Sequence, residues 1–175
     1  KLAEIDAGSE RDPSSEVDLH SLLLEVIETH VQYASQKRID FSLHVTASPR
    51  VKASKLDLSS LFSNLIDNAV RYSMPDSVIE ISVRSQDGSE LVEVIDSGSG
   101  IAAEALPRIF DRFFRAASPE IEGTGLGLSI AKAIADRYGL ALSIANRPSG
   151  GVIARVTIPR GALLTPPLNT CAGRR

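Results

Sequence analysis

The run Ile79-Glu-Ile-Ser-Val-Arg-Ser-Gln-Asp-Gly-Ser-Glu-Leu-Val-Glu-Val-Ile-Asp-Ser-Gly-Ser-Gly100 doubles back on itself. Ile79, Ile81 and Val83 alternate with polar residues, Asp87-Gly88 is a tight-turn signal, and Leu91 to Ile95 returns as a more continuously apolar strand, so the run predicts an antiparallel hairpin. Upstream, Leu58, Leu61, Phe62, Leu65 and Ala69 share one helical face, and Pro75 stops that helix. Before it, Ile39 to Val45 alternates like a strand with one buried face and has Val51 to Ala53 as its expected partner. Leu19, Leu22, Leu23, Val26, Ile27 and Ala34 define a first helix reaching about residue 36, with Ser15 and Asp18 as its expected caps. Downstream, residues 101 to 122 hold Pro107, Pro119 and a charged, aromatic middle without a long period, which reads as a mobile segment with a short helix inside. A third helix is expected from about Leu126 to Tyr138, ended by Gly139, and a last hairpin pairs Leu140 to Ala145 with Val152 to Ile158 around Pro148-Ser-Gly-Gly151. Helices and strands come in clusters, not in strict alternation. That pattern favours an α+β fold, a two-layer α/β sandwich, over a doubly wound parallel sheet.

The 175 residues, 43% of them hydrophobic, suit one domain with short extensions. We read residues 1–15 as the end of an upstream helical domain and a linker, 16–160 as the domain proper, and 161–175 as a disordered tail. A net charge of −3 supplies no basic field for a nucleic-acid backbone, so nucleic acid is not an expected partner. The single cysteine, Cys171, cannot form an internal disulfide and sits in the expected tail, which fits a reducing, cytoplasmic setting. No run approaches the roughly 18 apolar residues of a membrane span.

Three blocks carry the chemistry. Asn64, Asn68, Arg71 and Tyr72 form a polar stripe at helical spacing, and carboxamide oxygens suit Mg²⁺, which takes hard ligands and keeps phosphate oxygens and waters. A solvated face with an Asp67–Arg71 pair at i,i+4 would explain the same residues. Asp96 ends the buried strand, where a carboxylate can accept from an exocyclic amino group, a bond contributing on the order of 1.5–3 kcal/mol. Gly98 and Gly100 let the backbone come close to a flat base. An ordinary Asp-Ser-Gly turn is the plainer account of these residues. Gly98-x-Gly100-x-x-Ala103 also matches a dinucleotide fingerprint, but Pro107 breaks the helix that this motif requires. Gly123, Thr124, Gly125, Leu126, Gly127 and Leu128 lead into the third helix, where unpaired N–H groups suit phosphates; a hinge is the alternative. Between them lie Phe110, Phe113 and Phe114 beside Arg112 and Arg115, the composition of a lid whose rings pack on the core while an arginine reaches the phosphate.

The set Asn64-Leu-Ile-Asp-Asn68-Ala-Val-Arg-Tyr72, Asp96-Ser-Gly-Ser-Gly100-Ile, Phe110-Asp-Arg-Phe-Phe-Arg115 and Gly123-Thr-Gly-Leu-Gly-Leu128 resembles the N, G1, F and G2 boxes of bacterial sensor histidine kinases, over about residues 16 to 160. The resemblance implies an ATP-binding catalytic domain, with a mixed, mostly antiparallel sheet packed on three helices and a flexible ATP lid. It implies that Asn68 holds Mg²⁺, that Asn64 and Arg71 lie near the phosphates and that Tyr72 flanks the nucleotide. It further implies that Asp96 binds the adenine amino group, Ile101 lines the base pocket, Gly125 to Gly127 approach the phosphates, and Arg115, or Arg112, is the lid arginine. Gyrase-type, chaperone and mismatch-repair relatives carry Glu where this chain has Asn64; a carboxamide cannot act as general base, so efficient hydrolysis is not expected. The phosphoacceptor would be a histidine on a neighbouring dimerisation domain, with a response regulator downstream. His20, His30 and His44 do not meet the pattern His-Glu/Asp-x-x-Thr/Asn-Pro, although His44-Val-Thr-Ala-Ser48-Pro49 comes near it. On this reading the chain is a monomeric cytoplasmic piece of a homodimer anchored in the inner membrane. It binds ATP but does not autophosphorylate alone. A nucleotide-sensing module without transfer and an NAD-dependent oxidoreductase are the alternatives.

Overall fold

The computed structural model describes residues 15–47, 49–115 and 123–162. The expected upstream linker and C-terminal tail, with Cys171, lie almost wholly outside the described residues, as do Ser48 and part of the expected lid. In chain order the elements are β1 (Glu16–Asp18), α1 (Leu19–Gln36), β2 (Asp40–Val45), β3 (Arg50–Lys52), α2 (Lys55–Tyr72), β4 (Val78–Gln86), β5 (Ser89–Ile95), α3 (Gly127–Arg137), β6 (Ala141–Asn146) and β7 (Val152–Ile158). Short 3₁₀ turns cover Leu106–Arg108 and Arg160–Ala162.

Five strands form one sheet in the order β2-β4-β5-β7-β6, antiparallel except for the β2–β4 pair. Ile79, Ile81 and Val83 on β4, Val92 and Val94 on β5, and Ala154 and Val156 on β7 turn the same face toward the helices. Six residues of α1 (Leu19, Leu22, Leu23, Val26, Ile27 and Ala34) and seven of α2 complete this core, so all three helices pack on one side of the sheet. The β4–β5 hairpin closes through Asp87 (φ +50) and Gly88 (φ +78), the paired left-handed conformations that a two-residue turn requires.

Two local expectations change. Val51 to Ala53 does not pair with β2; β3 pairs with β1 (Val17 opposite Val51), while β2 lies parallel to β4 (Leu43 opposite Ile81). Beyond β2 the chain turns back, so that the Pro49 carbonyl accepts from Leu19 N (3.1 Å) and β3 runs beside the residues entering α1. Ser15 is part of that ribbon and not a cap: its hydroxyl donates to the Ala53 carbonyl at 2.8 Å, whereas Asp18 caps α1 by accepting from Ser21 N at 2.8 Å. The dinucleotide-fold reading fails as well. Residues 98–103 open only the Leu106–Arg108 turn, and both neighbours of β5 are antiparallel to it, so no βαβ unit exists there.

Side chains distant in sequence fix the helix that carries the polar stripe. The Lys37 ammonium donates to the carbonyls of Val70 (2.7 Å), Arg71 (2.9 Å) and Ser73 (3.0 Å), satisfying the otherwise open C-terminal end of α2. Burial, with Arg71 nearby, lowers the Lys37 pKa, and the three acceptors keep the ammonium in place. At the other end, Asp57 accepts from the Tyr138 hydroxyl (2.7 Å) and Arg137 (3.0 Å), joining the start of α2 to the end of α3. Lys37→Met should remove about 1–3 kcal/mol of stability, read as a lower urea midpoint at unchanged slope, because three buried or half-buried carbonyls lose a charged donor. An unchanged midpoint would show that water replaces the lysine without cost.

Candidate functional site

A cleft of about 440 Å³ opens at the end of β5, walled by α2, the start of α3 and, from the last hairpin, Ile144 of β6 and Val152 and Ala154 of β7. Asn64, Asn68, Arg71, Tyr72, Asp96 and Ile101 all line it, as do Gly98, Gly100, Gly123, Thr124, Gly125, Gly127, Leu128 and Arg115. Arg112 and Leu126 do not. Leu126 instead starts α3, its carbonyl accepting from Ile130 N (2.9 Å) and the Ser129 hydroxyl (2.8 Å). At Phe113 the backbone adopts φ +64, and beyond this left-handed turn it is Phe114 and Arg115, not Arg112, that come onto the cleft.

Asp96 is the buried carboxylate of the site, 7% exposed. Its Oδ1 accepts from Gly98 N (2.8 Å) and Val152 N (3.0 Å), so both hydrogen bonds it receives within the described chain go to one oxygen. Burial raises its pKa, against the two amides and the charge of Arg147, which all favour the anion. The surroundings are apolar, with Val94, Ala154, Ile144 and Leu65 on the walls. A flat ring bearing an amino group matches this combination of one acceptor and an apolar slot.

The polar end of the cleft joins α2 to α3. Asn64 donates from Nδ2 to the Ser60 carbonyl one turn back (2.8 Å), which explains how it is tolerated mid-helix and leaves its oxygen toward α3. A Cβ at Gly127 would lie 2.9 Å from Asn64 Oδ1 and 3.7 Å from Asn68 Nδ2, and one at Gly123 would lie 3.9 Å from Arg71 Nη1. The glycines thus bring the first turn of α3 against the α2 stripe. Among the described residues no side chain caps α3, which leaves its leading N–H groups placed to receive an anion. Asp67 pairs with Arg71 at 2.8 Å, as a solvated helix face would have it, yet Arg71 also lines the cleft. Among the described residues no group of three His, Cys, Asp or Glu could hold a metal.

The aromatic segment divides its rings. Phe110 packs on the core, Phe114 lines the cleft under the Arg108 guanidinium (4.4 Å to the ring centre), and Phe113 is 72% exposed, so the expectation that the rings fold onto the core holds for Phe110 and not for Phe113. Gly125, at φ +70, packs so closely on this segment that a Cβ would meet Phe113 C at 2.7 Å, and its carbonyl accepts from Phe113 N at 2.9 Å.

The role of the turn between β6 and β7 emerges only in the folded chain. Gly151 (φ +82) has room for no side chain, since a Cβ would lie 2.0 Å from the Asp96 carbonyl oxygen, and Arg147 donates to that oxygen at 3.2 Å. Asn146 bonds both backbone groups of Ile101. In the sequence only the Gly150-Gly151 pair marks the place, and it reads as a turn without saying what the turn grips. Gly98 also has another reason to be glycine than a ligand: a Cβ there would meet the Tyr72 carbonyl oxygen at 2.4 Å.

Residues 53–162 match the family of histidine kinase-, DNA gyrase B- and HSP90-like ATPases. The sensor protein QseC of Salmonella typhimurium is 34% identical over 157 residues, 89% of this chain and 34% of QseC; the swarming motility regulation sensor protein RssA of Serratia marcescens is 33% identical over 144 residues, 82% of this chain and 31% of its own length. The chain therefore spans about one third of the length of these relatives. Among solved structures, the catalytic domain of histidine kinase ThkA superposes with a TM-score of 0.74 at 30% identity, covering 83% of this chain and 95% of that one. Full-length ShkA in complex with AMPPNP superposes with 0.74 at 26% identity, covering 87% and 31%. ThkA has also been solved in complex with the response regulator TrrA, and that ThkA matches with 0.69 at 28% identity, covering 83% and 41%. The mixed sheet, the three helices on one face and the matched residues make this chain a member of the histidine kinase-, DNA gyrase B- and HSP90-like ATPase family.

Proposed function

We propose that this chain is the ATP-binding catalytic module of a sensor histidine kinase, delivering the γ-phosphoryl group to a histidine on a dimerisation domain outside these 175 residues. The single observation that carries this reading is the convergence of Asp96, the α2 stripe and the uncapped start of α3 on one cleft. Asp96 accepts from the adenine amino group through Oδ2, because Oδ1 is already held by two amides. Ile101 closes the base slot and Tyr72 flanks the nucleotide. Gly125, Gly127 and the N–H groups beyond them take phosphate oxygens, with Arg71, Thr124 and Arg115 around them. The QseC relationship and the AMPPNP complex of ShkA support the ligand class.

The donor set fits Mg²⁺. The carboxamide of Asn68 beside a phosphate cradle, with no cluster of three His, Cys, Asp or Glu among the described residues, suits an ion mainly ligated by phosphates and water. The ion would neutralise charge on the phosphates. Asn64 cannot act as a general base toward water, so positioning dominates the chemistry and the phosphoryl group is kept for the histidine. None of the chain's histidines meets the acceptor pattern: His20 and His30 lie in α1, where His30 bonds the Val26 carbonyl (2.8 Å), and His44 bonds the Ser42 hydroxyl (2.9 Å) on an edge strand. By analogy with the ThkA–TrrA complex, the phosphohistidine would pass its group to a response regulator. The sensor-kinase reading itself makes the whole protein a homodimer with this part in the cytoplasm. No helix among the described residues is long and apolar enough to cross a membrane.

Mixing the chain with a dimerisation-domain protein and γ-labelled Mg-ATP should yield labelled phosphohistidine on the partner; label appearing only as free phosphate would contradict transfer. Asp96→Ala should weaken ATP binding tenfold or more by calorimetry, following from roughly 1.5–3 kcal/mol for a hydrogen bond to a charged group. The ligand prefers the ionised carboxylate, and burial raises its pKa above the usual 3.8, so affinity should fall on acidification at a higher pH than for an exposed aspartate. A flat acid limb in the parent protein would argue against the assignment. For Asn68→Ala, affinity in the presence of EDTA should be retained while most of the gain on adding Mg²⁺ disappears; an undiminished gain would place the ion elsewhere.

A further inference from the structure

A single rung of the β6–β7 ladder touches both walls of the base slot. Asn146 lies opposite Val152 in the register of this pair. Val152 exchanges two bonds with Asp96: its N–H donates to Oδ1 (3.0 Å) and its carbonyl accepts from Asp96 N (3.0 Å). Asn146 does the same for the other wall with its side chain. Its Oδ1 accepts from Ile101 N (2.8 Å) and its Nδ2 donates to the Ile101 carbonyl (2.7 Å). The carboxamide thus stands in for a peptide group and ties the loop to the sheet.

That loop has little else to hold it. Among the described residues, the stretch from Ser97 to Ile101 makes hydrogen bonds only through Gly98 N to Asp96 Oδ1 and through Ile101 to Asn146. Gly100 sits at φ +82 under the Asn146 side chain, where a Cβ would approach Oδ1 to 3.1 Å, so the backbone bends to reach the clamp. The turn behind the rung is closed by Arg147 N to Gly151 O (3.0 Å) and Gly150 N to Arg147 O (3.1 Å), which keeps its two ends at fixed separation.

We propose that Asn146 is a positioning and specificity-determining residue: with its cross-strand partner Val152 it sets the separation of Ile101 from Asp96, and so the width of a slot that admits a purine ring. This inference rests on reading the cleft as the adenine site. Asn146 touches no nucleotide itself and acts through the Ile101 peptide.

Calorimetry on this chain should compare Asn146→Ala, Asn146→Asp and Asp96→Ala, titrated with Mg-ATP, Mg-CTP and inorganic tripolyphosphate. Asn146→Asp keeps the size and the acceptor for Ile101 N but removes the donor to its carbonyl, so a volume effect would spare it. Both Asn146 variants should weaken ATP binding about five- to tenfold, reduce the preference for ATP over CTP, and leave tripolyphosphate binding unchanged. Exchange of the Ile101 amide hydrogen should accelerate while amides within β7 keep their protection. If Asp96→Ala loses affinity while both Asn146 variants stay within twofold of the parent, or if Ile101 exchange is unchanged, the inference is overturned and the adenine reading stands. Tripolyphosphate binding that falls in step with ATP binding would also overturn it, by showing a general structural role. Asp96→Ala without effect would remove the adenine reading and the inference with it.

Discussion

The site depends on how a buried carboxylate is kept at the mouth of a hydrophobic sheet. Removing a carboxylate from water is expensive unless its oxygens find donors, and Asp96 finds two backbone amides, one from its own loop and one from the neighbouring strand β7. Meeting those donors dictates much of the local geometry. The chain must turn within two residues of β5, which brings Gly98 against the Tyr72 carbonyl at the end of α2, and the β6–β7 turn must come close enough that only glycine fits at residue 151. One charged group therefore fixes where a strand end, a helix end and a hairpin meet.

The phosphate end follows a different logic, with half-exposed polar groups and an open helix start. α3 begins with Gly127 because its first turn lies against Asn64 and Asn68, and among the described residues no side chain caps it, so its partial positive charge faces the cleft. Remote groups hold α2 in register: Lys37 from the end of α1 and Asp57 paired with Tyr138 from the end of α3. Neither Lys37 nor the Asp57–Tyr138 pair lines the cleft, yet they fix the two ends of the helix that carries the stripe. Beside it, Phe113 takes a left-handed conformation with its ring in solvent while its N–H bonds the Gly125 carbonyl.

Most of the layout was legible in the sequence because its signals are local. The helical faces of α1 and α2, the Asp87-Gly88 hairpin and the three blocks of the cleft each occupy a short window where periodicity or turn chemistry speaks directly. What escaped depends on contacts between distant residues. Strand β1 is three residues long and pairs with β3 across the whole of α1, so alternation within Ile39 to Val45 suggested the wrong partner for Val51. Asn146 and Arg147 reach Ile101 and Asp96 from 45 and 51 residues away, and a lone Asn before a proline turn carries no mark of that. Arg112 and Leu126 share these motifs without lining the cleft, because position relative to the turn at Phe113 and the start of α3 is set by the folded backbone.

On the proposed function, one nucleotide spans the distance from Asp96 to the start of α3. Titrating the isotopically labelled chain with a non-hydrolysable Mg-ATP analogue, while following backbone amide resonances, tests it most directly. A shared nucleotide should shift Gly98, Ile101 and Val152 at the base end and Gly125, Gly127 and Asn68 at the phosphate end, all with one common dissociation constant. Perturbation at one end only, or two separate constants, would contradict a single shared site.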